Sequence, residues 1–264
     1  VKIATFNVNS LRARLANVLD WLKSESPDVA LFQEIKCTTA EFPRLEFEAL
    51  GYQVEAAGQK SYNGVAILSK TKLTVEHASL PGNDADEQAR YLEAVVDTPE
   101  GSLCKHVRVA TIYLPNGNPV ETEKYPYKLA WMEHLKRRAA ELLKTEEPVV
   151  LGGDYNVIPT DADVYDPAAW AEDALARPQT RAKFREILNL GYTDAFQHLH
   201  PEGHRYTFWD YQAGAWQRDN GLRIDHLLLS PQAADRLESC EIDRNPRGKE
   251  KPSDHTPIWV ELRV

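Results

Sequence analysis

The spacing of short apolar runs predicts a layered α/β sandwich in which residues 1–264 form one domain. Three observations lead there. First, β-type runs rich in Val, Ile and aromatic residues recur at 1–8, 29–34, 65–69, 91–97, 107–114, 149–152, 224–230 and 258–264, with Asn, Gly, Pro or Ser at their ends. Second, helical faces are fewer and irregularly spaced. Third, the stretch 51–115 holds at least three strand candidates and no convincing helix, which argues against the strict βαβ alternation of a Rossmann fold or a TIM barrel.

Taken in order, the first strand VKIATF ends in Asn7, and Leu15, Val18, Leu19 and Leu22 then fall on one face of a helix. The run VALF closes on Gln33 and Glu34, and three strands follow without a helix between them. Leu129, Met132, Leu135, Leu142 and Leu143 mark a second helix ahead of PVVLGG. A long polar connection covers 160–178, and Phe184, Ile187 and Leu188 mark a third helix. The strands at 224–230 and 258–264 complete the order. No repeat or Ser/Gly/Pro-rich linker divides the chain.

Composition narrows the class. With 31 Lys and Arg against 40 Asp and Glu, the net charge is −9, so any nucleic-acid partner must be met by a local basic face. At 42% hydrophobic and 27% charged, with six Trp and eleven Tyr, the chain can build a large core. Cys37, Cys104 and Cys240 are odd in number and lie far apart, which argues against a disulfide framework and a zinc site. No apolar stretch approaches the roughly 20 residues that span a bilayer, and VKIATFNVN turns polar too soon for a secretory leader, so a monomeric cytoplasmic protein is the expectation.

Polar clusters sit at the ends of the predicted strands. Asn7 and Asn9 follow the first; Glu34, Tyr113, and Asp154 with Asn156 follow others; Asp225 opens the next, and Ser253-Asp254-His255 precedes the last. Strand ends are rims, so these separated segments are expected to converge on one surface. Glu34, Asp154, Asp225 and Asp254, with the amides of Asn7 and Asn156, offer hard oxygen ligands suited to Mg²⁺, with Mn²⁺ as a substitute. A His beside a carboxylate, next to such a cation, fits hydrolysis of a phosphate ester. Each piece alone also has a plainer meaning: a turn at 152–156, a satisfied strand-end carboxylate at Glu34, a structural pair at Asp225-His226. Ser253, Asp254 and His255 cannot form a triad among themselves, because neighbours in an extended segment point to opposite faces. The sequence holds no G-x-S-x-G elbow, P-loop or G-x-G-x-x-G.

The ordered set Thr5-Phe6-Asn7, Leu31-Phe32-Gln33-Glu34, Ile112-Tyr113-Leu114-Pro115-Asn116-Gly117, Gly153-Asp154-Tyr155-Asn156, Arg223-Ile224-Asp225 and Ser253-Asp254-His255 resembles the endonuclease/exonuclease/phosphatase superfamily. Gln33-Glu34-Ile35-Lys36, Ser61-Tyr62-Asn63-Gly64 and Arg205-Tyr206-Thr207-Phe208-Trp209-Asp210 make it most similar to the exonuclease III branch of abasic-site endonucleases. The resemblance implies a four-layer sandwich of two packed mixed β-sheets flanked by helices. It implies Mg²⁺-dependent cleavage 5′ to abasic sites in duplex DNA, with 3′→5′ exonuclease and 3′-phosphatase activity. By the same resemblance Glu34 would bind the cation with Asn7 and Asp254 in support. Asp154 would orient or deprotonate water, Asn156 and Tyr113 would hold the phosphate, and His255, oriented by Asp225, would stabilise the phosphorus centre. Two departures stand out. Tyr155 replaces a usual Phe or Leu, and Leu222 replaces a Trp of some relatives beside the abasic pocket, where Phe208 and Trp209 are retained.

DNA contacts are expected from Arg12, Lys36, Tyr62, Asn116, Phe208, Trp209 and Leu222, with further donors at Lys60, Lys124, Lys128 and the run Arg244, Arg247, Lys249 and Lys251. For Lys124 and Lys128 a solvated surface charge is the competing expectation. Substrates would be duplexes with abasic sites or blocked 3′ ends, and the charge should divide into a basic rim around an acidic pocket. Two other readings stay open: a non-catalytic DNA-lesion binder, and a phosphoesterase of the same superfamily acting on non-DNA substrates.

Overall fold

The structure, a computed structural model, describes residues 1–203 and 205–264. Two six-stranded sheets carry the chain. The first runs in the order β11 (Leu237–Ile242), β12 (Ile258–Leu262), β1 (Lys2–Asn7), β2 (Val29–Gln33), β4 (Val65–Ser69), β3 (Gln53–Ala57). The second runs β5 (Leu73–His77), β6 (Tyr91–Asp97), β7 (His106–Tyr113), β8 (Val149–Asp154), β10 (Asp225–Leu229), β9 (Thr193–Asp194). Each sheet has one central parallel pair, β1 with β2 and β7 with β8, and its other pairs are antiparallel.

Helices cover the outer faces: α1 (Leu11–Glu25) and α2 (Arg44–Glu48) on the first sheet, and α3 (Lys124–Leu143) and α5 (Pro178–Asn189) on the second, with the one-turn α4 (Pro167–Trp170) in the long connection between β8 and α5. The layers are held by three apolar clusters. Ile3, Leu31, Ile67, Val109, Leu227 and Val260 belong to the one between the sheets, so both ends of the chain enter the same core. Trp21, Leu22, Phe32 and Phe47 join α1 and α2 to the first sheet, and Trp131, Leu135, Leu151 and Phe184 join α3 and α5 to the second. Burying one such Leu, Ile or Phe contributes about 1.5–3 kcal/mol relative to leaving it exposed.

The eight predicted runs are strands, and the two-sheet sandwich is as expected. Strands β3, β5, β9 and β11 were not individually anticipated; β5 and β11 are peripheral and alternate weakly, so their sequences lack a continuous apolar signature. Tyr155 points into the helix-side core, where its hydroxyl donates to Leu151 O at 2.8 Å, so this departure from the family pattern alters packing. Among the described residues no helix is long and apolar enough to cross a membrane.

Candidate active site

Strand direction gathers the site. The parallel strands β1 and β2 end together, with Asn7 opposite Gln33. In the second sheet β7 and β8 end together, with Tyr113 opposite Asp154, and the antiparallel β10 starts there with Asp225 opposite Asp154. Strand β12 starts beside the end of β1, with Thr5 opposite Ile258, so residues 253–255 arrive at the same rim. Gly153 permits the close approach of β7 to β8, since a Cβ there would lie 1.9 Å from Ile112 O. The chain then leaves the strands sharply: Glu34 (φ 50°), Lys36 (φ 52°) and Asn156 (φ 47°) are left-handed, a conformation that costs a non-glycine residue about 1 kcal/mol or more and turns these side chains off the strand path. Ser253 acts as a brace, its hydroxyl donating to Asn7 O at 2.7 Å and accepting from His255 N at 3.2 Å.

The polar floor is one connected network. The Asn7 amide donates from Nδ2 to Glu34 Oε1 (2.8 Å) and to Asp154 Oδ2 (2.9 Å), while its oxygen accepts from Asn9 N. Asn7 therefore orients the two carboxylates and turns its own oxygen away from them. His255 Nδ1 bonds Asp225 Oδ2 at 2.8 Å, and its Nε2 lies 3.5 Å from Asp154 Oδ2. Asn156 N donates to Asp154 Oδ1 at 3.0 Å, and Asn116 Nδ2 reaches Asn156 Oδ1 at 3.4 Å.

Burial and neighbours set the charge states. Burial disfavours the His255 cation, but Asp225 and Asp154 outweigh it and raise its pKa well above the ordinary value. Asp154 is pushed up to about 7, by burial first, against His255, with Asp225 and Glu34 adding to the rise. Burial also acts on Glu34, yet the Asn7 amide and the Lys36 ammonium, 3.3 Å away, hold it below the usual range. Tyr113 stays a protonated phenol because burial, Glu34 and Asp154 all oppose its anion. Glu34, Asp154 and His255 bring potential ligand atoms within 4.8 Å of one another, and with His255 protonated the two carboxylates are the members of that group that can hold a metal ion. Asp254 lines the same cavity but stands outside that tight group, its Oδ1 accepting from Asn9 Nδ2 at 3.2 Å. Burial raises the Asp254 pKa.

Above this floor opens a cavity of about 280 Å³. Its acidic side is Glu34, Asp154 and Asp254, and its apolar side is Phe208, Leu222 and Ile224. Phe208 packs edge-on against the His255 ring with centroids 5.1 Å apart, joining the apolar wall to the polar floor. Asn116 lines the cavity, Lys36 borders it through Glu34, and Tyr62 is 71% exposed on the adjoining loop. Arg12 is exposed, 3.8 Å from Glu41, and lines a separate hollow with Cys37.

Three expectations need correction. Trp209 is fully buried and does not line the cavity: strand-like alternation after Phe208 turns it inward, where its indole donates to Asp219 and its backbone N–H to Asp254 O. Lys128 is neither a surface charge nor a DNA contact. It is fully buried, its Nζ donates to the backbone oxygens of Asn116 and Asn156, and burial lowers its pKa to about 7. Its place was readable, because Lys128 falls on the buried α3 stripe of Trp131, Met132 and Leu135. Arg247 is also buried, clipping Trp209 O and Asp210 O, and offers no free cation to a phosphate.

Sequence reasoning missed Asn118, Trp170, Asp173 and Leu175, which complete the cavity. The unusually long polar 160–178 connection was the signal for Trp170, Asp173 and Leu175, and Asn118 stands just past the Tyr113–Gly117 motif. It missed Arg90 as well, whose guanidinium stacks 4.8 Å from the Tyr113 ring and donates to Tyr113 O.

The chain belongs to the endonuclease/exonuclease/phosphatase family, whose model matches residues 4–255. Exodeoxyribonuclease III of Haemophilus influenzae is 32% identical over the whole of both chains. An AP endonuclease structure from Archaeoglobus fulgidus superimposes with a TM-score of 0.92 at 37% identity, covering 100% of each chain. A Neisseria 3′ phosphatase bound to product DNA hairpin gives 0.93 at 38%, covering 100% of this chain and 99% of the other. Within the family, then, this is an exonuclease III-like nuclease of DNA repair. The three relatives carry three different activity names at closely similar identity.

Proposed function

We propose that the protein hydrolyses the phosphodiester 5′ to abasic sites in duplex DNA with Mg²⁺, or Mn²⁺ in its place, and that the same site removes 3′ nucleotides and 3′ phosphates. The carrying observation is the single cavity that sets a carboxylate–histidine floor against the apolar wall of Phe208, Leu222 and Ile224. A deoxyribose that has lost its base, turned out of the duplex, is the substrate part that such a wall accepts.

The donor set fits a hard cation: Glu34 is held ionised, Asp154 and Asp254 are adjacent, and no thiol lines the cavity. Glu34 would hold the ion, which supplies neutralisation of charge on the phosphate oxygens. Asp154, backed by Asn7 and Asn156 N, takes a proton from the attacking water. The phenol of Tyr113 and the amide of Asn156 donate to the phosphoryl oxygens. His255, kept cationic by Asp225, stabilises charge on the phosphoryl oxygens as the water oxygen bonds to phosphorus and the P–O3′ bond breaks, the departing O3′ taking a proton from solvent while Asp154 returns to solvent the one it accepted. The products are a 3′-hydroxyl and a 5′-phosphate on the abasic residue.

Lys36 and Tyr62 on one flank, and Arg12 beyond them, are assigned to the DNA backbone. The test is a duplex oligonucleotide with one abasic analogue, incubated with Mg²⁺ or with EDTA. A single incision 5′ to the analogue, lost in EDTA, is expected. An uncut strand in Mg²⁺ sinks the proposal.

A further inference from the structure

A second cavity, of about 360 Å³, adjoins the catalytic one and shares Trp170, Phe208 and Leu222 with it. Tyr165, 42% exposed, adds another aromatic ring, and Asp210, Gln212, Arg218 and Asn220 supply polar groups. Backbone pairing holds the walls in place: Val164 and Phe208 both bridge to Leu222, and Tyr165 N donates to Gly221 O. The catalytic floor uses none of Tyr165, Gln212 or Arg218.

We propose that this cavity is a subsite for an unpaired nucleobase, the base of the nucleotide being removed from a 3′ end. This rests on the functional reading above and extends it. Abasic incision and 3′→5′ exonucleolysis break the same P–O3′ bond, with water adding to phosphorus in both. The two substrates differ in that the nucleotide on the 3′ side of the scissile phosphate carries a base in the exonuclease reaction. With its sugar against Phe208 and Leu222, that base needs a space next to them, and the adjoining cavity is that space. Aromatic rings there can stack on any base, and the mixed donors and acceptors suit a base edge. Asp210 and Arg218 carry opposite charges, so the cavity has no surplus cation of the kind that a second phosphate would call for.

Two duplexes test the subsite: one with a mismatched 2-aminopurine at a recessed 3′ end, the other with an abasic analogue that has no base. Stacking against Tyr165 and Trp170 should quench 2-aminopurine when the wild-type protein binds the first duplex in EDTA. Tyr165→Ala should lose most of that quench and, with Mg²⁺, raise KM for the mismatched end about tenfold. Arg218→Ala should act in the same direction and less. Both variants should cut the abasic duplex at the wild-type rate, which also shows that they are folded. Unchanged quenching and unchanged KM in Tyr165→Ala overturn the subsite, as does an equal loss on both duplexes. A wild-type protein that cuts neither duplex overturns the functional reading instead, and the fluorescence in EDTA still decides the subsite.

Discussion

Asp225 and His226 are neighbours on β10, yet they belong to two buried networks with opposite electrostatics. Asp225 faces the active site and holds His255, whose ring sees Asp225, Asp154 and Asp254 and is held protonated. His226 faces the other way, toward Tyr155 and Phe184, with Nε2 2.9 Å from Val157 O and Nδ1 3.2 Å from the Arg223 guanidinium. Burial and then Arg223 lower its pKa, so it stays neutral. Arg223 in turn is bonded to Asp163 and Asp194. The structural network sets the Arg223 guanidinium between two carboxylates and beside a neutral histidine. The candidate active site sets four carboxylates, Glu34, Asp154, Asp225 and Asp254, around His255 and Lys36, an acidic surplus that a divalent cation would offset. The two buried histidines thus differ through the charge each ring meets, carboxylates at His255 and a guanidinium at His226, and not through residue type.

The largest expected break in this contrast is chemical. His255→Asn and Asp154→Asn should each lower kcat by about a thousandfold or more while the duplex still binds, measured by single-turnover incision and by a mobility shift. Near-wild-type turnover in either would misplace the chemistry. Arg223→Ala should instead act on the fold, costing about 3–5 kcal/mol in a urea melt because Asp163 and Asp194 lose their shared partner. A melt shift of under about 1 kcal/mol would show that this network does not hold the fold.

The two histidines should also titrate in opposite senses. His226 has a lowered folded pKa, so the unfolded chain binds its proton more readily and this contribution to stability falls as pH drops below about 6.5. His255 has a raised folded pKa, so its contribution is fully present below about 6.5 and is lost as pH rises through the folded value. Imidazole NMR in EDTA reads both directly. A His226 ring that protonates before His255 on acidification reverses the comparison. The smallest effect is expected at the cavity wall: Phe208→Ala should reduce abasic incision about tenfold, with the 3′-phosphatase rate less affected, in a side-by-side oligonucleotide assay.

Much of the site was legible because its residues close or open strands, and a strand end is marked by the switch from apolar to polar residues at Asn7, Glu34, Asp154 and Asp225. The order of the strands within each sheet was not, since pairing is a long-range property. Asn118 and Asp173 reach the cavity from loops and Trp170 from the one-turn α4, none with a periodic pattern, and only for Trp170 and Asp173 did the length of the 160–178 connection hint at a role. Phe208 and Trp209 illustrate a local limit: the motif names both, but alternation lets one face the cavity and sends the other into the core.

The bracing of Asn7 by Ser253 has a consequence for how the enzyme comes into being. The first strand and the segment ahead of the last one are 246 positions apart, and the hydroxyl bond between them closes the floor of the site. During synthesis β1 emerges long before β12, so its outer edge has to wait unpaired while nearly all of the sandwich is made. Contacts of such long sequence separation form slowly and late. Nuclease activity should therefore appear only when the final strand has docked, and a nascent chain paused before residue 253 should be folded in part but catalytically silent.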